Sequence, residues 1–327
     1  MRVAVVGKGG SGKTTVSAAL IQEIIRRLNR VHLLAIDADI NMHLGPLFGV
    51  DWSRSPEKHL SNPVSIEQIK RYLIGNNARI HSLSAFRKTT PPGNGSNLLF
   101  LETLNQTPLS AFDFGENTFH LMAVGTYSED GLGTSCYHNN LSILENILSH
   151  ASEGGNWIVV DMVAGTDAFA SSLHAQFDII LLVVEPTRQS TDVWNQFVSL
   201  ASAAGISNRL FAVGNKVNST DDEKFLSEKI PENMLLGFLS DSKYLRDLSR
   251  RGGNLELSKL EEENRKAIQN MVKKMSTFPS TVRVRYAHLC ALHRKYVAQN
   301  FITAQFGDLT TQIDPNFNLD KLVGKIK

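Results

Sequence analysis

The chain has 327 residues, 42% of them hydrophobic and 20% charged, and a net charge of +2. That is material for one or two globular domains with a substantial core, and a charge balance too even to argue for nucleic acid from the whole chain. Two distant cysteines, Cys136 and Cys290, do not suggest a disulfide framework and fit a reducing, cytoplasmic setting, while the longest apolar run, IILLVV, is too short to span a membrane.

The opening MRVAVVGKGG reads as a strand and a loop, not as a secretion signal. RVAVV (2–6) is a buried strand, and GKGGSGKTT follows, with a helical pattern over 14–28. From Gly7 to Thr14 the loop has the spacing G-x-x-x-x-G-K-[ST] between strand and helix, the context that gives the motif meaning. Its glycines, Gly9, Gly10 and Gly12, with Ser11 between them, let backbone N–H groups turn inward around phosphate oxygens, and the helix adds its positive end. Lys13 would reach the β- and γ-phosphates, Thr14 would sit on Mg²⁺, and Thr15 would face an α-phosphate oxygen. Lys8 is a second lysine that this chemistry does not require.

VHLLAID (31–37) is the second strand, and it runs into Asp37, Asp39 and Asn41. Residues 51–115 are rich in Pro, Gly, Asn and Ser, and read as a loop-rich insertion with helices around 65–74 and 80–88. HLMAVG (120–125) is a strand. GLGTSCYHNN (131–140) then places Cys136 and His138 two apart, ahead of an amphipathic helix with Leu141, Leu144, Ile147 and Leu148 on one face. Thiolate plus imidazole is a sound half-set for a metal, and two copies would complete a tetrahedron across a dimer axis. The same pair also fits a small buried cysteine beside an exposed histidine.

WIVVD (157–161) is a strand that ends on Asp161, a carboxylate placed to hold a Mg²⁺-bound water, with Gly165 just beyond. IILLVVE (179–185), a helix over 190–204 and LFAVGN (210–215) continue the alternation, and LLGFL (235–239) is the last strand. Continuous apolar strands separated by helices predict a doubly wound, mostly parallel α/β sheet covered on both faces. Asn215 and Lys216 stand at a strand end where a nucleotide base is read. Guanine readers place an aspartate two positions after such a lysine; Asn218 stands there and cannot accept both guanine bonds, which favours ATP. Asn215 would contact the adenine, with Pro186 or the Gly237–Asp241 loop flanking it.

A charged helix over 256–275 closes the first unit, 1–275, and leaves a C-terminal extension, 276–327. TVRVRYAHLCALHRKYVAQNF fits strand or helix equally well by periodicity. Basic residues gather at 244–253 and 281–295, but acidic neighbours make a solvated surface the simpler reading than a DNA face. The end, FNLDKLVGKIK, carries Leu319, Leu322, Val323 and Ile326 on one helical face. Membrane contact is open, with docking on the protein body favoured.

The KGGxxGKT form of the loop resembles the deviant Walker A family, which includes ParA, MinD, the nitrogenase iron protein and CooC-type nickel-insertion ATPases. The resemblance covers about residues 1–270 and implies a P-loop NTPase fold of the SIMIBI type. It implies a homodimer in the ATP-bound state, in which Lys8 of each copy contacts the phosphates held by the other. A cation lent in trans in this way stabilises charge that develops during phosphoryl transfer. It further implies that Asp39 positions the attacking water, that Asp37 lies near the metal and that Gly165 serves the γ-phosphate. DMVAG (161–165) is similar to the corresponding CooC segment. GLGTSCYHNN departs from the CooC pattern by replacing one cysteine with His138, which puts nickel delivery in doubt while leaving Zn²⁺ or Ni²⁺ as interfacial candidates. The implied role is a metallocentre maturation ATPase acting on an unknown client; a partition or positioning ATPase on DNA or membrane is the alternative. A small-molecule kinase fits less well, because Lys8 would crowd the acceptor.

Overall fold

A computed structural model describes residues 1–28, 31–126, 137–166, 169 and 171–324, the first three residues of the helix that begins at 137 by backbone alone. The strands are β1 (Arg2–Gly7), β2 (Leu33–Ala38), β3 (Leu99–Phe100), β4 (Phe119–Ala123), β5 (Ala151–Ser152), β6 (Trp157–Met162), β7 (Ile179–Val184), β8 (Leu210–Val217) and β9 (Leu235–Ser240). Seven of them form one sheet in the order β4-β2-β6-β1-β7-β8-β9, and every neighbouring pair is parallel. β3 and β5 make a separate parallel pair.

The unbroken apolar strands are covered on both faces, as period-2 alternation requires. From β1, Val3 and Val5 enter one core with Val16, Leu20 and Ile24 of α1 (Lys13–Arg27) and Ile268, Met271 and Val272 of a later helix, Glu262–Met275. Ala4 and Val6 enter the other core, with the helices Pro63–Ile74 (α2), Tyr137–His150 (α3) and Arg188–Ala203 (α4). The stripe read from Leu141, Leu144, Ile147 and Leu148 is fully buried there. Two further helices, α5 (Thr220–Lys229) and α6 (Lys243–Arg251), precede Glu262–Met275, which is α7. β1 lies at the centre of the sheet, so the loop after it is held on both sides by neighbouring strands.

The insertion departs from expectation at one point. α2 forms, but residues 80–88 are turns rather than a helix. Local side chains take the backbone groups a helix would use: Asn77 Oδ1 accepts from Arg79 N–H, Ser82 Oγ from Ala85 N–H and Thr90 Oγ1 from Arg87 N–H. The carbonyls of Ala85 and Arg87 accept from Gln312 and Asn146. Short polar side chains compete with helical bonding in this way, and Pro91–Pro92 blocks its continuation.

The extension settles as helices: α8 (Val282–Val297), α9 (Asn300–Phe306) and one turn, α10 (Asp320–Val323). It docks on the N-terminal ends of the strands and on the insertion. Arg2 of β1 makes an ion pair with Glu153, and Arg285 of α8 pairs with the same carboxylate at 2.8 Å. Asp178, just before β7, accepts from Arg2 N–H at 2.8 Å and from Thr281 N–H at 2.9 Å, and its Oδ1 lies 3.2 Å from Arg285 Nε. Thr89 meets His293 at 2.9 Å, and Thr90 donates to Gln312 at 2.8 Å. The extension therefore shares buried contacts with the unit 1–275. Phe317 and Leu322 are buried with Val282, and Leu319 and Val323 pack against them. Ser152 Oγ donates to Leu322 O at 2.9 Å, which ties this part of the tail to the protein; Ile326 lies outside the described residues. Among the described residues no helix is long and apolar enough to cross a membrane.

Candidate functional site

The predicted loop lies at the C-terminal end of β1 and runs directly into α1. Gly12 is the N-cap, at φ 94°, and no side chain caps the helix there. The first N–H groups of a helix have no partner within it, so the N-terminus of α1 presents donors and a positive dipole end to the space over the loop. A Cβ at Gly12 would come within 2.4 Å of Asn215 Nδ2, which, with the positive φ, is why glycine stands there. Ser11 is fully buried, and its Oγ has no hydrogen-bond partner. Gly9 and Gly10 are exposed, and nothing lies within 4 Å of a Cβ added at Gly10.

Asp161 sits under the first turn of α1. Its Oδ2 accepts from Thr14 Oγ1 at 2.7 Å and its Oδ1 from Ser17 Oγ at 2.9 Å. Burial pushes its carboxyl up to about 6, against the two hydroxyls and nearby Lys13, which favour the charged form. Lys13 is itself 6% exposed. Parallel pairing of β2 with β6 sets Asp37 directly opposite Asp161. Asp37 is fully buried, and desolvation together with the charge of Asp161 pushes it well above the usual carboxylate range. Its Oδ2 accepts from Leu44 N–H at 2.8 Å and Trp52 Nε1–H at 3.2 Å, so it ties down the segment that follows β2. Trp52 packs so closely over Gly45 that any Cβ there would overlap its ring. Asp39 is 6% exposed and accepts from Asn41 N–H and Nδ2–H, each at 2.9 Å. Gly165, at φ 89°, donates its N–H to Gly7 O at 3.1 Å, which brings the segment after β6 against the loop.

The two residues read as base contacts lie behind the loop. Asn215 Nδ2 donates to Ser11 O at 2.7 Å. Lys216, at φ 57°, bridges Gly10 O and Glu185 Oε1, each at 2.7 Å. A small recess beside Asn215 is lined by Thr15, Val16, Leu239, Ser240 and Leu245. Residues 237–240 belong to β9 itself and not to a loop, because that strand extends to Ser240. Lys8 turns away from its own loop: Nζ donates to Gln189 Oε1 at 2.8 Å, a solvent-exposed bond at the start of α4. Cys136 and the side chain of His138 lie outside the described residues.

Three contributors went unread in the sequence. Ser17 stands three positions after Thr14, on the same face of α1, and that spacing is the signal that finds it. Trp52 and Gln189 come from the insertion and a distant helix, and no local pattern connects them to the loop.

Residues 3–255 match the profile of the CobQ/CobB/MinD/ParA nucleotide binding domain. The chain belongs to this family. Carbon monoxide dehydrogenase accessory protein CooC of Rhodospirillum rubrum is 27% identical over 239 residues, covering 72% of this chain and 82% of that protein. An uncharacterized ATP-binding protein of Methanocaldococcus jannaschii is 26% identical over 243 residues, 73% of this chain and 84% of that protein. The crystal structure of a ParA family ATPase from Chlorobium tepidum TLS matches with a TM-score of 0.50 at 14% identity, covering 83% of this chain and 98% of that one, a likeness of fold. In a family of nucleotide-binding domains, the uncapped helix end, the buried orphan hydroxyl of Ser11 and the carboxylate–hydroxyl pair of Asp161 and Thr14 suit a triphosphate and its Mg²⁺. Residues 276–327 lie beyond the matched range.

Proposed function

We propose that the chain is a Mg²⁺-dependent ATPase that hydrolyses ATP as a nucleotide-bridged homodimer and drives a metallocentre maturation step on a client protein. The observation that carries the reading is the direction of Lys8. Its ammonium leaves its own phosphate loop and stands at the surface on Gln189, available to a facing copy. Lys13 and the N-terminus of α1 bind the phosphates and hold their negative charge. Thr14 and Asp161 would hold Mg²⁺, which when bound supplies charge neutralisation between the β- and γ-phosphates. Raised by burial, Asp161 gains from a cation that replaces its lost solvation. Asp39 orients the attacking water, while Asn41 holds its Oδ1. Asn215 and Lys216 keep the loop in shape from behind and place the base in the neighbouring recess. The CooC relative supports the maturation role over partition on DNA or membrane.

The test compares wild type with Lys8→Ala for phosphate release and for ATP-dependent pairing in sedimentation. Loss of both is expected; full turnover and pairing in the variant would overturn the dimer mechanism. Zinc and nickel content of the ATP-loaded protein, with Cys136→Ser and His138→Ala as controls, tests the interfacial metal.

A further inference from the structure

At the N-terminal end of the strands, away from the phosphate loop, two histidines share one face of the sheet. His32 stands just before β2, and His120 lies in the edge strand β4. The parallel register sets Leu34 opposite His120, so His32, two residues before Leu34, projects on the same face one step along. Their rings are nearly parallel, 14° apart, with centroids separated by 5.9 Å. Metal–nitrogen bonds of about 2.0–2.1 Å place the centres of two imidazoles on one ion about 5–6 Å apart.

Each ring keeps one buried nitrogen without a partner. His120 is 5% exposed, and its Nδ1 lies 2.6 Å from Asp113 Oδ2. Asp113 is itself fixed, because its Oδ1 accepts from Leu121 N–H at 2.9 Å and from Gly115 N–H at 2.8 Å. A carboxylate only accepts, so the ring proton sits on Nδ1 and Nε2 carries a lone pair. That Nε2 is buried with no hydrogen-bond partner. A carboxylate behind an imidazole in this way orients a metal-ligating histidine and raises its basicity. His32 Nδ1 is also buried and unpartnered. Its backbone is held: the N–H donates to Asn156 Oδ1 at 2.8 Å, and the carbonyl accepts from Trp157 N–H at 3.0 Å. Burial and the neighbouring His120 push its imidazole down, against the pull of Glu102, so the ring is neutral at pH 7 and able to ligate. Two orphaned nitrogens on adjoining rings are a cost that packing alone does not explain.

We propose that His32 Nδ1 and His120 Nε2 bind one late first-row divalent cation, such as Ni²⁺ or Cu²⁺, with Asp113 as the positioning residue behind His120. Among the described residues no group of three or more protein ligands forms, so water completes the shell. Imidazole donors suit this end of the series, where affinity is highest. The site does not rest on the ATPase reading, because His32 and Asp37 stand at opposite ends of β2, and it shares no residue with Cys136 and His138.

The probe is nickel chloride, titrated by calorimetry into the untagged, chelator-stripped full chain carrying Cys136→Ser, without nucleotide. Saturable binding of one ion per chain is expected. His32→Gln and His120→Gln should each weaken it by more than about tenfold, and Asp113→Asn by about tenfold. His81→Gln, at an exposed histidine elsewhere, should leave it unchanged. Cu²⁺ bound to the same protein should show electron paramagnetic couplings to two imidazole nitrogens, and to one in either histidine variant. Near-UV circular dichroism and melting temperature, taken without metal, verify that each variant is folded. Absence of saturable nickel binding, unchanged affinity in either folded histidine variant, or coupling to fewer than two imidazoles would overturn the proposal.

Discussion

The two ends of the central strands treat charge in opposite ways. At the C-terminal end, Asp37 and Asp161 face each other across paired strands, and burial holds both carboxyls above their ordinary range. At the N-terminal end, Glu153 and Asp178 are equally hidden, yet both are held below it, because Arg2, Arg285 and the chain's own amino terminus surround them. The first arrangement is electrostatically unfinished and suits a site that waits for a cation. The second is complete and serves as an anchor for the extension. Burial alone therefore does not mark a candidate functional carboxylate; burial without a paired cation is the sharper sign.

Substitutions at the two ends should separate these roles. Lys13→Ala removes a cation aimed at the transferring phosphate and should lower ATP turnover by about a thousandfold, with little change in melting temperature; steady-state phosphate release measures it. Glu153→Gln leaves two arginines buried with one carboxylate and should cost about 3–5 kcal/mol in denaturant unfolding. Asp161→Asn is its counterpart. It should leave unfolding free energy unchanged or raised while hydrolysis falls, and an Asp161→Asn protein as unstable as Glu153→Gln would erase the distinction.

Acid should act on the N-terminal end first. His150 and His293 are buried neutral, each pushed down to about 4 from an ordinary 6.5. Between those values the unfolded chain takes up protons that the folded chain refuses, so stability is full above pH 6.5 and declines as pH falls toward 4, by at most about 3 kcal/mol per histidine. Glu153, held low, adds its own loss only below its unfolded value of 4.5. The raised Asp37 and Asp161 carboxyls act in the opposite sense over this range, so the histidine contribution is read as a difference: between pH 7 and 4 the unfolding midpoint of His293→Gln should lose less than that of wild type. The smallest effect is expected at Trp52→Phe, which removes one donor from Asp37 and should cost about 1 kcal/mol.

Much of the nucleotide site was legible because it is local. Gly7 through Thr15 form one strand–loop–helix unit, and the adjacency of Lys13 and Thr14 at the start of one helix fixes their neighbourhood. The seven strands were legible because apolar runs buried on both faces have few alternatives. Residues 80–88 misled because Ile80, Leu83, Ala85 and Phe86 look like a helical face, while Ser82, Asn77 and Thr90 capture the backbone first. The 282–297 segment was ambiguous because TVRVRY alternates like a strand. Its contacts with Glu153 and Asp178, more than a hundred residues earlier, resolve it.

The sequence by itself determined the sheet, the phosphate loop and the identity of the lysines and carboxylates around it, since those depend on neighbours a few residues apart. Only the tertiary structure decided which buried acids are paid with cations and which are not, where the extension lands, and that Lys8 points outward. Each of these depends on groups that distant parts of the chain bring within a few ångströms, where desolvation and ion pairing outweigh any local pattern.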